Sequence, residues 1–148
     1  MSTEANKRLV RRFITDVWNT VDAVSADDLV HPDYEVPGHG VGPAAVKRNV
    51  AAFRAAFPDM EWTVENLVAE DDWVAVRLTL HATHRGEFAG VAPTGRRVTM
   101  REMVFWRVVD DRLHTVWSQA DALGLRVQLG AIPPSAWHRP VHGAEDRT

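Results

Sequence analysis

The chain has 148 residues, of which 45 % are apolar and 25 % are charged, and its formal net charge is −3. This length and balance are typical of one soluble globular domain that buries its own core. The basic residues are scattered, so we expect neither a nucleic-acid partner nor a membrane partner. There is no cysteine, which excludes disulfides, thiolate metal ligands and cysteine nucleophiles.

The N-terminal residues have the pattern of an amphipathic helix. Leu9, Phe13 and Val17 recur at every fourth residue and predict an apolar stripe over about the first twenty residues. Ser2 or Thr3 is suited to cap this helix. The segment is charged and has no apolar stretch of the kind found in secretory signals, so we expect a cytoplasmic protein.

Two more helices are predicted before the periodicity changes. Residues 24–30 indicate a short helix, and residues 31–43 form a loop rich in Pro and Gly. Pro43 is suited to the first turn of a third helix, which Pro58 ends.

Alternating apolar and polar residues predict a run of strands after the third helix. The strands are residues 61–70, 73–84, 98–109 and 112–121. Helices followed by an antiparallel meander predict an α+β fold in which the helices cover one face of the sheet. We expect one domain over residues 1–130 and a loose tail over residues 131–148.

The last predicted hairpin implies a pocket. If Asp110-Asp111 is a two-residue turn, Val109 faces Arg112 and the pairing continues from there. The inward face is then apolar near the turn and polar at its far end, which is the pattern of a partly filled core. A slip of one residue would reverse the faces. The inward pairs in this register are Val104 with Trp117, Glu102 with Gln119, and Met100 with Asp121.

Several motifs resemble the SnoaL-like branch of the NTF2-like superfamily. The stretch AFPDMEWTVENLVAEDDWVAVRLTLHATHRGEFAGVAPTGRRVTM contains a Phe-Pro-Asp after a helix, a Thr-His-x-Gly-x-Phe-x-Gly run and a Pro-Thr-Gly turn. The stretch RVVDDRLHTVWSQADALGLRVQLG is similar to the closing segment of that family, with Trp-x-x-x-Asp and Gln-Leu-Gly. The resemblance covers roughly residues 4–130 and includes the opening NKRLVRRFITDVWN.

The resemblance implies an NTF2-like cone, in which a curved antiparallel sheet wraps around the N-terminal helices and encloses one deep pocket, and it implies a homodimer packed through sheets. Well-known members are polyketide cyclases of antibiotic biosynthesis that close a ring by intramolecular aldol condensation, with neither a metal nor an organic cofactor. Their acid/base is the aspartate of the Trp-x-x-x-Asp motif, which is Asp121 here. The chain departs from the family at the hairpin turn, where Asp110-Asp111 replaces Asp-Gly.

Asp121 is therefore the first candidate catalytic residue. A carboxyl group buried against Trp117 and Met100 would have a raised pKa, because desolvation disfavours the charged form. It could remove a proton from a carbon between two carbonyls and return it to the new alkoxide, with a rate effect of about 10²–10⁴-fold. The alternative is that Asp121 is a solvent-facing strand end or the N-cap of a short helix.

His84 is the candidate second catalytic residue, because it ends a strand beside a Gly-rich loop; the alternative is a surface histidine near a turn. Tyr34, the only tyrosine, lies in a Pro-flanked loop, so we expect it to be a poor phenol donor for a mechanism like that of ketosteroid isomerase or scytalone dehydratase. The candidate substrate-binding residues are Trp117, Glu102, Gln119, Met100, Val104 and His39. The histidines expected on the surface are His31, His81, His114, His138 and His142.

Three other functions remain open at this point. An epoxide-opening enzyme like limonene epoxide hydrolase needs an Asp-Arg-Asp set, but Arg77 and Arg101 are predicted to face away from Asp121. A cyclase that only folds a polyene into a reactive shape would make Asp121 dispensable. A non-catalytic ligand-binding module would have a filled or shallow cavity and exposed apolar faces for partners.

Overall fold

The computed structural model describes residues 2–136. Its helices are α1 (Thr3–Phe13), which continues as a π-helical turn (Ile14–Trp18), α2 (Ala26–Leu29), α3 (Gly42–Ala56) and α4 (Ala122–Gln128). Its strands are β1 (Glu35–Val36), β2 (Gly40–Val41), β3 (Glu61–Glu70), β4 (Trp73–Thr83), β5 (Arg97–Val109) and β6 (Arg112–Ala120).

The predicted α+β cone is confirmed. Strands β3, β4, β5 and β6 form one antiparallel sheet in sequence order, and β1 and β2 form a separate small hairpin. The predicted stripe of α1 packs on the inner face of this curved sheet, where Leu9, Phe13 and Val17 are buried. The inner face of the sheet is apolar because alternate residues of β4 and β5 point toward α1.

Both ends of the first helical segment are fixed by side-chain hydrogen bonds. Ser2 caps α1, since its Oγ accepts a hydrogen bond from the backbone N–H of Ala5 at 3.1 Å. At the other end the Asn19 amide donates to the carbonyl of Trp62 at 2.9 Å and accepts from the N–H of Trp62 at 2.7 Å. These two bonds hold the end of the π-helical turn against the start of β3.

The predicted register of β6 is wrong beyond its first two residues. Val108 pairs with Leu113, whereas Arg107 pairs with Thr115, so His114 is the extra residue of a β-bulge. Every later residue of β6 is displaced by one, and a displacement by one exchanges the inner and outer faces of a strand.

The Asp110-Asp111 turn itself is confirmed. Val109 pairs with Arg112, and the two aspartates have φ angles of 51° and 60°. A two-residue hairpin turn with both central φ angles positive favours Asn, Asp or Gly. The second aspartate therefore fits this turn, and the error in register comes from the bulge that follows.

Most of the predicted C-terminal tail, including His138 and His142, lies outside the described residues. Residues 131–136 contain one short 3-10 turn, Pro134–Ala136. The single domain over residues 1–130 stays a prediction. Within residues 2–136 no helix is both long enough and apolar enough to span a bilayer.

Candidate active site

A cavity of about 250 Å³ opens between the inner face of the sheet, the end of the first helical segment and α3. Most of its wall is apolar. Five polar residues interrupt that wall, which are Tyr34, Glu35, Asn49, Glu102 and Ser118. A largely apolar cavity with a few polar groups is the usual form of a site for a small organic ligand.

Glu102 is the ionisable group that the sheet carries into this cavity. It lies on β5 between Met100 and Val104, which also face inward and line the cavity. Burial raises the pKa of Glu102, and the neighbouring Ser118 hydroxyl partly opposes that rise. A carboxyl group with a raised pKa is suited to accept and return a proton near neutral pH.

Tyr34 lines the same cavity. The turn before β1 buries the ring, and Trp106 donates a hydrogen bond from its indole Nε1 to the Tyr34 oxygen at 3.0 Å. Burial is the main cause that raises the pKa of Tyr34, and the charge of Glu102 adds to the rise, while the bond from Trp106 opposes it. The phenol therefore stays protonated. Because the indole already supplies a hydrogen to its oxygen, its own hydrogen is available to a ligand.

Aromatic rings form the wall near the end of the first helical segment. The ring of Trp18 meets Phe53 edge-on at 6.3 Å between centroids and Trp62 at 6.2 Å. The π-helical turn brings Ile14 and Trp18 to the cavity together. Arg54 fixes this turn, since it donates to the carbonyl of Trp18 at 2.6 Å. Flat aromatic walls favour a flat ligand.

The structure contradicts a buried carboxyl group at Asp121. Its side chain is exposed and accepts a hydrogen bond from the N–H of Gly124 at 2.9 Å, so it is the N-cap of α4. Because of the bulge, Ala120 takes the inward place opposite Glu102, and Asp121 follows at the end of the strand. Asp121 is thus adjacent to a residue that lines the cavity, while its own carboxylate faces solvent. It is not buried against Trp117 and Met100 as predicted.

Two predicted substrate-binding residues lie on the wrong face. Trp117 is 67 % exposed and pairs with Phe105 on the outer face of the sheet, where Gln119 pairs with Met103. Both point away from the cavity, because the bulge displaces them by one residue. The inward places of β6 are taken by smaller residues, which are Val116, Ser118 and Ala120.

His84 and His39 do not join the cavity wall. His84 is fully buried at the end of β4, where its Nδ1 accepts from the N–H of Thr94 at 3.2 Å and its ring stacks on Phe57. The imidazole of His39 is half-buried in the loop after β1, where the backbone N–H of His39 donates to the carbonyl of Val36 at 2.9 Å and its carbonyl accepts from Arg48 at 2.6 Å. From that loop, Pro37 lines the cavity and His39 does not.

Tyr34 was expected to be a poor phenol donor, yet it lines the cavity. Ser118 and Asn49 were not singled out at all. A correct register would have identified Ser118, because it faces Val104 across the hairpin. No local pattern identifies Tyr34, since its position depends on the buried bond to Trp106 from another part of the chain.

The chain is similar in sequence to members of one enzyme family. The sequence model of the SnoaL-like polyketide cyclase family matches residues 8–129 of this chain. The chain is 34 % identical over 137 residues to the aklanonic acid methyl ester cyclase AcmA of Streptomyces galilaeus, with 88 % of this chain and 94 % of AcmA covered. It is 31 % identical over 143 residues to the aklanonic acid methyl ester cyclase DnrD of Streptomyces peucetius, with 91 % of this chain and 96 % of DnrD covered.

Solved structures give the same fold. AclR of Streptomyces galilaeus, a suggested hydroxylase, superposes with a TM-score of 0.77 at 33 % identity and covers 89 % of this chain and 85 % of its own. TsrD of Streptomyces laurentii superposes with a TM-score of 0.82 at 24 % identity and covers 89 % of this chain and 99 % of its own. The chain belongs to the SnoaL-like polyketide cyclase family and is an enzyme.

Proposed function

We propose that this enzyme closes a ring in a carbonyl-rich polyketide intermediate by aldol-type chemistry without a cofactor, and that Glu102 is its acid/base. The observation that carries this proposal is the Glu102 carboxyl group inside the apolar cavity, where burial raises its pKa. This is the environment that the sequence argument assigned to Asp121, found at a different residue.

In the proposed reaction the Glu102 carboxylate removes a proton from a carbon between two carbonyls. The electron pair moves onto the adjacent carbonyl oxygen, which accepts a hydrogen bond from the Tyr34 hydroxyl. The enolate carbon then attacks a second carbonyl of the same substrate and forms the new carbon–carbon bond. The resulting alkoxide takes the proton back from Glu102. Donors placed at the developing oxyanion commonly contribute the largest single share of such a rate enhancement.

The cavity supports a substrate held in a folded shape. Its volume of about 250 Å³ is small, and aromatic rings from α3, β3 and the π-helical turn border it. A tight apolar cavity brings the two reacting carbons of a flexible chain together and excludes water from the enolate. No arginine lines the cavity within the described residues, which weakens the epoxide-opening alternative.

Aklanonic acid methyl ester, the substrate named for the relatives, is the first compound to test. We expect the purified full chain to convert it to an isomer of unchanged mass with one more ring, because an aldol addition loses no atoms. Mass spectrometry and NMR of the product check this. Binding without conversion would favour the ligand-binding alternative, and a product that has gained oxygen or water would favour different chemistry.

Asp121 is the second candidate for the acid/base. The observation that favours it is its position directly after Ala120, which lines the cavity. Asn caps a helix as well as Asp does. Asp121→Asn therefore removes the charge and keeps the cap of α4, which makes it the matched variant for any change at Glu102.

We also propose a homodimer packed through the outer face of the sheet. Four apolar residues form a continuous row across β3, β4, β5 and β6 through directly paired positions, which are Val68, Ala75, Phe105 and Trp117. Val68, Phe105 and Trp117 are each more than half exposed. A contiguous exposed apolar patch that can pair with itself favours a symmetric dimer.

Trp117→Glu is expected to convert the protein to a monomer, because it places a charge on the most exposed large side chain of this row, at its β6 end. Light scattering coupled to gel filtration at micromolar concentration measures the mass. Val21→Glu is the control, since Val21 is 88 % exposed and lies in the loop before α2. A monomeric wild-type protein, or a Trp117→Glu variant that remains dimeric, would contradict this interface.

A further inference from the structure

We propose that His31, Asp33 and His114 form a binding site for a transition-metal cation such as Zn²⁺, separate from the cavity. One ligand atom from each of the three residues lies within 4.8 Å of the other two. None of the three residues belongs to the cavity wall. The proposal is independent of the proposed cyclase function.

The backbone brings these residues together. Val30 forms an isolated bridge with Leu113, and the N–H of His31 donates to the carbonyl of Leu113 at 2.8 Å. The bulge in β6 then turns His114 toward this bridge, so the two imidazole rings lie 4.6 Å apart between centroids. Bulges commonly redirect a side chain at functional sites.

His31 is oriented by contacts at both of its ring nitrogens. Its Nδ1 accepts a hydrogen bond from the N–H of Asp33 at 3.1 Å, and a cation bound at this nitrogen would replace that hydrogen bond. The Asp33 carboxylate lies 3.8 Å from the same nitrogen. On the opposite side of the ring, Nε2 lies 3.8 Å from the carboxylate of Asp110. At many metal centres a carboxylate faces the outer N–H of a ligating histidine and fixes the orientation of its ring.

His114 is held in a similar way. Its Nδ1 lies 2.9 Å from the Thr115 hydroxyl, so Nδ1–H can donate there and leave the Nε2 lone pair for a cation. Two imidazoles and one carboxylate are a donor set that zinc commonly uses, with about 2.0–2.2 Å between metal and ligand, and water can take a fourth position. A cation bound by all three groups would draw their ligand atoms closer together than the 4.8 Å within which they now lie.

Titration of the full chain with ZnCl₂, followed by calorimetry, tests this site. We expect one Zn²⁺ per chain, and we expect His31→Gln and His114→Gln each to weaken binding at least about tenfold. Zn²⁺ is also expected to raise the Tm, because a ligand that binds only the folded chain stabilises it. The Tm gain should disappear in both variants. Co²⁺ absorption of the wild-type protein reports the imidazole ligands directly.

Two controls separate this site from other histidines of the chain. His81→Gln removes an exposed histidine on β4, and the double variant His138→Gln/His142→Gln removes the pair in the tail. Both controls are expected to bind Zn²⁺ as tightly as the wild-type protein. The proposal is overturned if the wild-type protein binds no Zn²⁺ at millimolar concentration, or if His31→Gln and His114→Gln bind Zn²⁺ as tightly as the wild-type protein does.

Discussion

Glu102→Gln is expected to lower kcat/KM by about 10²–10⁴-fold, the usual contribution of a general acid/base. Glutamine has nearly the same shape and keeps the contacts with the neighbouring cavity wall, but it cannot accept the proton from the substrate carbon. Steady-state kinetics of ring closure measure the effect. Substrate binding should change little, because the amide still fills the same space.

The pH dependence of the wild-type enzyme gives a second readout of Glu102. Since the reaction needs the ionised form, kcat/KM should fall with decreasing pH through a pKa above 4.5, the ordinary value for glutamate. Glu102→Gln should lose this acidic limb.

The same pKa shift fixes the direction of the stability effect. A folded-state pKa above the unfolded value means that the folded protein binds the extra proton, so this contribution is present at low pH and is lost as pH rises through the folded pKa. At neutral pH Glu102→Gln should therefore be at least as stable as the wild-type protein. A less stable variant would indicate a structural role.

Tyr34→Phe is expected to lower kcat by about 10²–10³-fold, which is the usual cost of losing one donor to an oxyanion. The substituted ring fills the same place, so KM should change little. The change also leaves the Trp106 N–H without an acceptor, and a buried unsatisfied donor costs about 1–3 kcal/mol of stability. Kinetics and thermal unfolding measure the two effects separately.

The double variant Tyr34→Phe/Trp106→Phe distinguishes catalysis from packing at this position. Removing both partners of a buried hydrogen bond can be nearly neutral for that bond, whereas removing only the acceptor is not. We expect the double variant to lose less stability than the sum of the losses in Tyr34→Phe and Trp106→Phe, and to recover none of the rate. Recovery of the rate in the double variant would mean that the Tyr34 hydroxyl has no direct role.

The fold could be predicted from the sequence because its pattern is strong and local. The four-residue spacing of Leu9, Phe13 and Val17 places them on one face of a helix, and all three residues are buried. The four long strands follow the alternation of apolar and polar residues almost to their ends. This periodicity records which side chains are buried, and it therefore indicates both the type of each element and the face that packs against the core.

The faces of β6 could not be predicted, because the β-bulge at His114 has no sequence signature of its own. One extra residue there moves Trp117 outward and Ala120 inward, and it takes Asp121 out of the expected place opposite Met100. For the same reason, the sequence did not identify Ser118 as a residue of the cavity wall. A single local irregularity therefore changed most of the predicted site while leaving the fold prediction intact.

The motifs that carry the family resemblance turn out to support the fold around the site. The Asp59 carboxylate of the Phe-Pro-Asp motif accepts hydrogen bonds from the N–H and the hydroxyl of Thr83, both at 2.7 Å, and these bonds lower its pKa. Gly86 has no room for a side chain, since a Cβ there would collide with the backbone carbonyl oxygen of Ala55. Phe88 packs on Phe57. These residues join the end of α3 to the end of β4, so they specify the family more than the reaction.

The most direct test of the central claim is the ratio of kcat/KM between Glu102→Gln and Asp121→Asn, measured with the same substrate and protein preparation. Both variants exchange a carboxylate for an amide, one inside the cavity and the other at the exposed cap of α4. We predict that Glu102→Gln loses about 10²-fold or more, while Asp121→Asn keeps activity within a few-fold of the wild-type enzyme. An inactive Asp121→Asn beside an active Glu102→Gln would contradict the account and place the proton transfer at the end of β6.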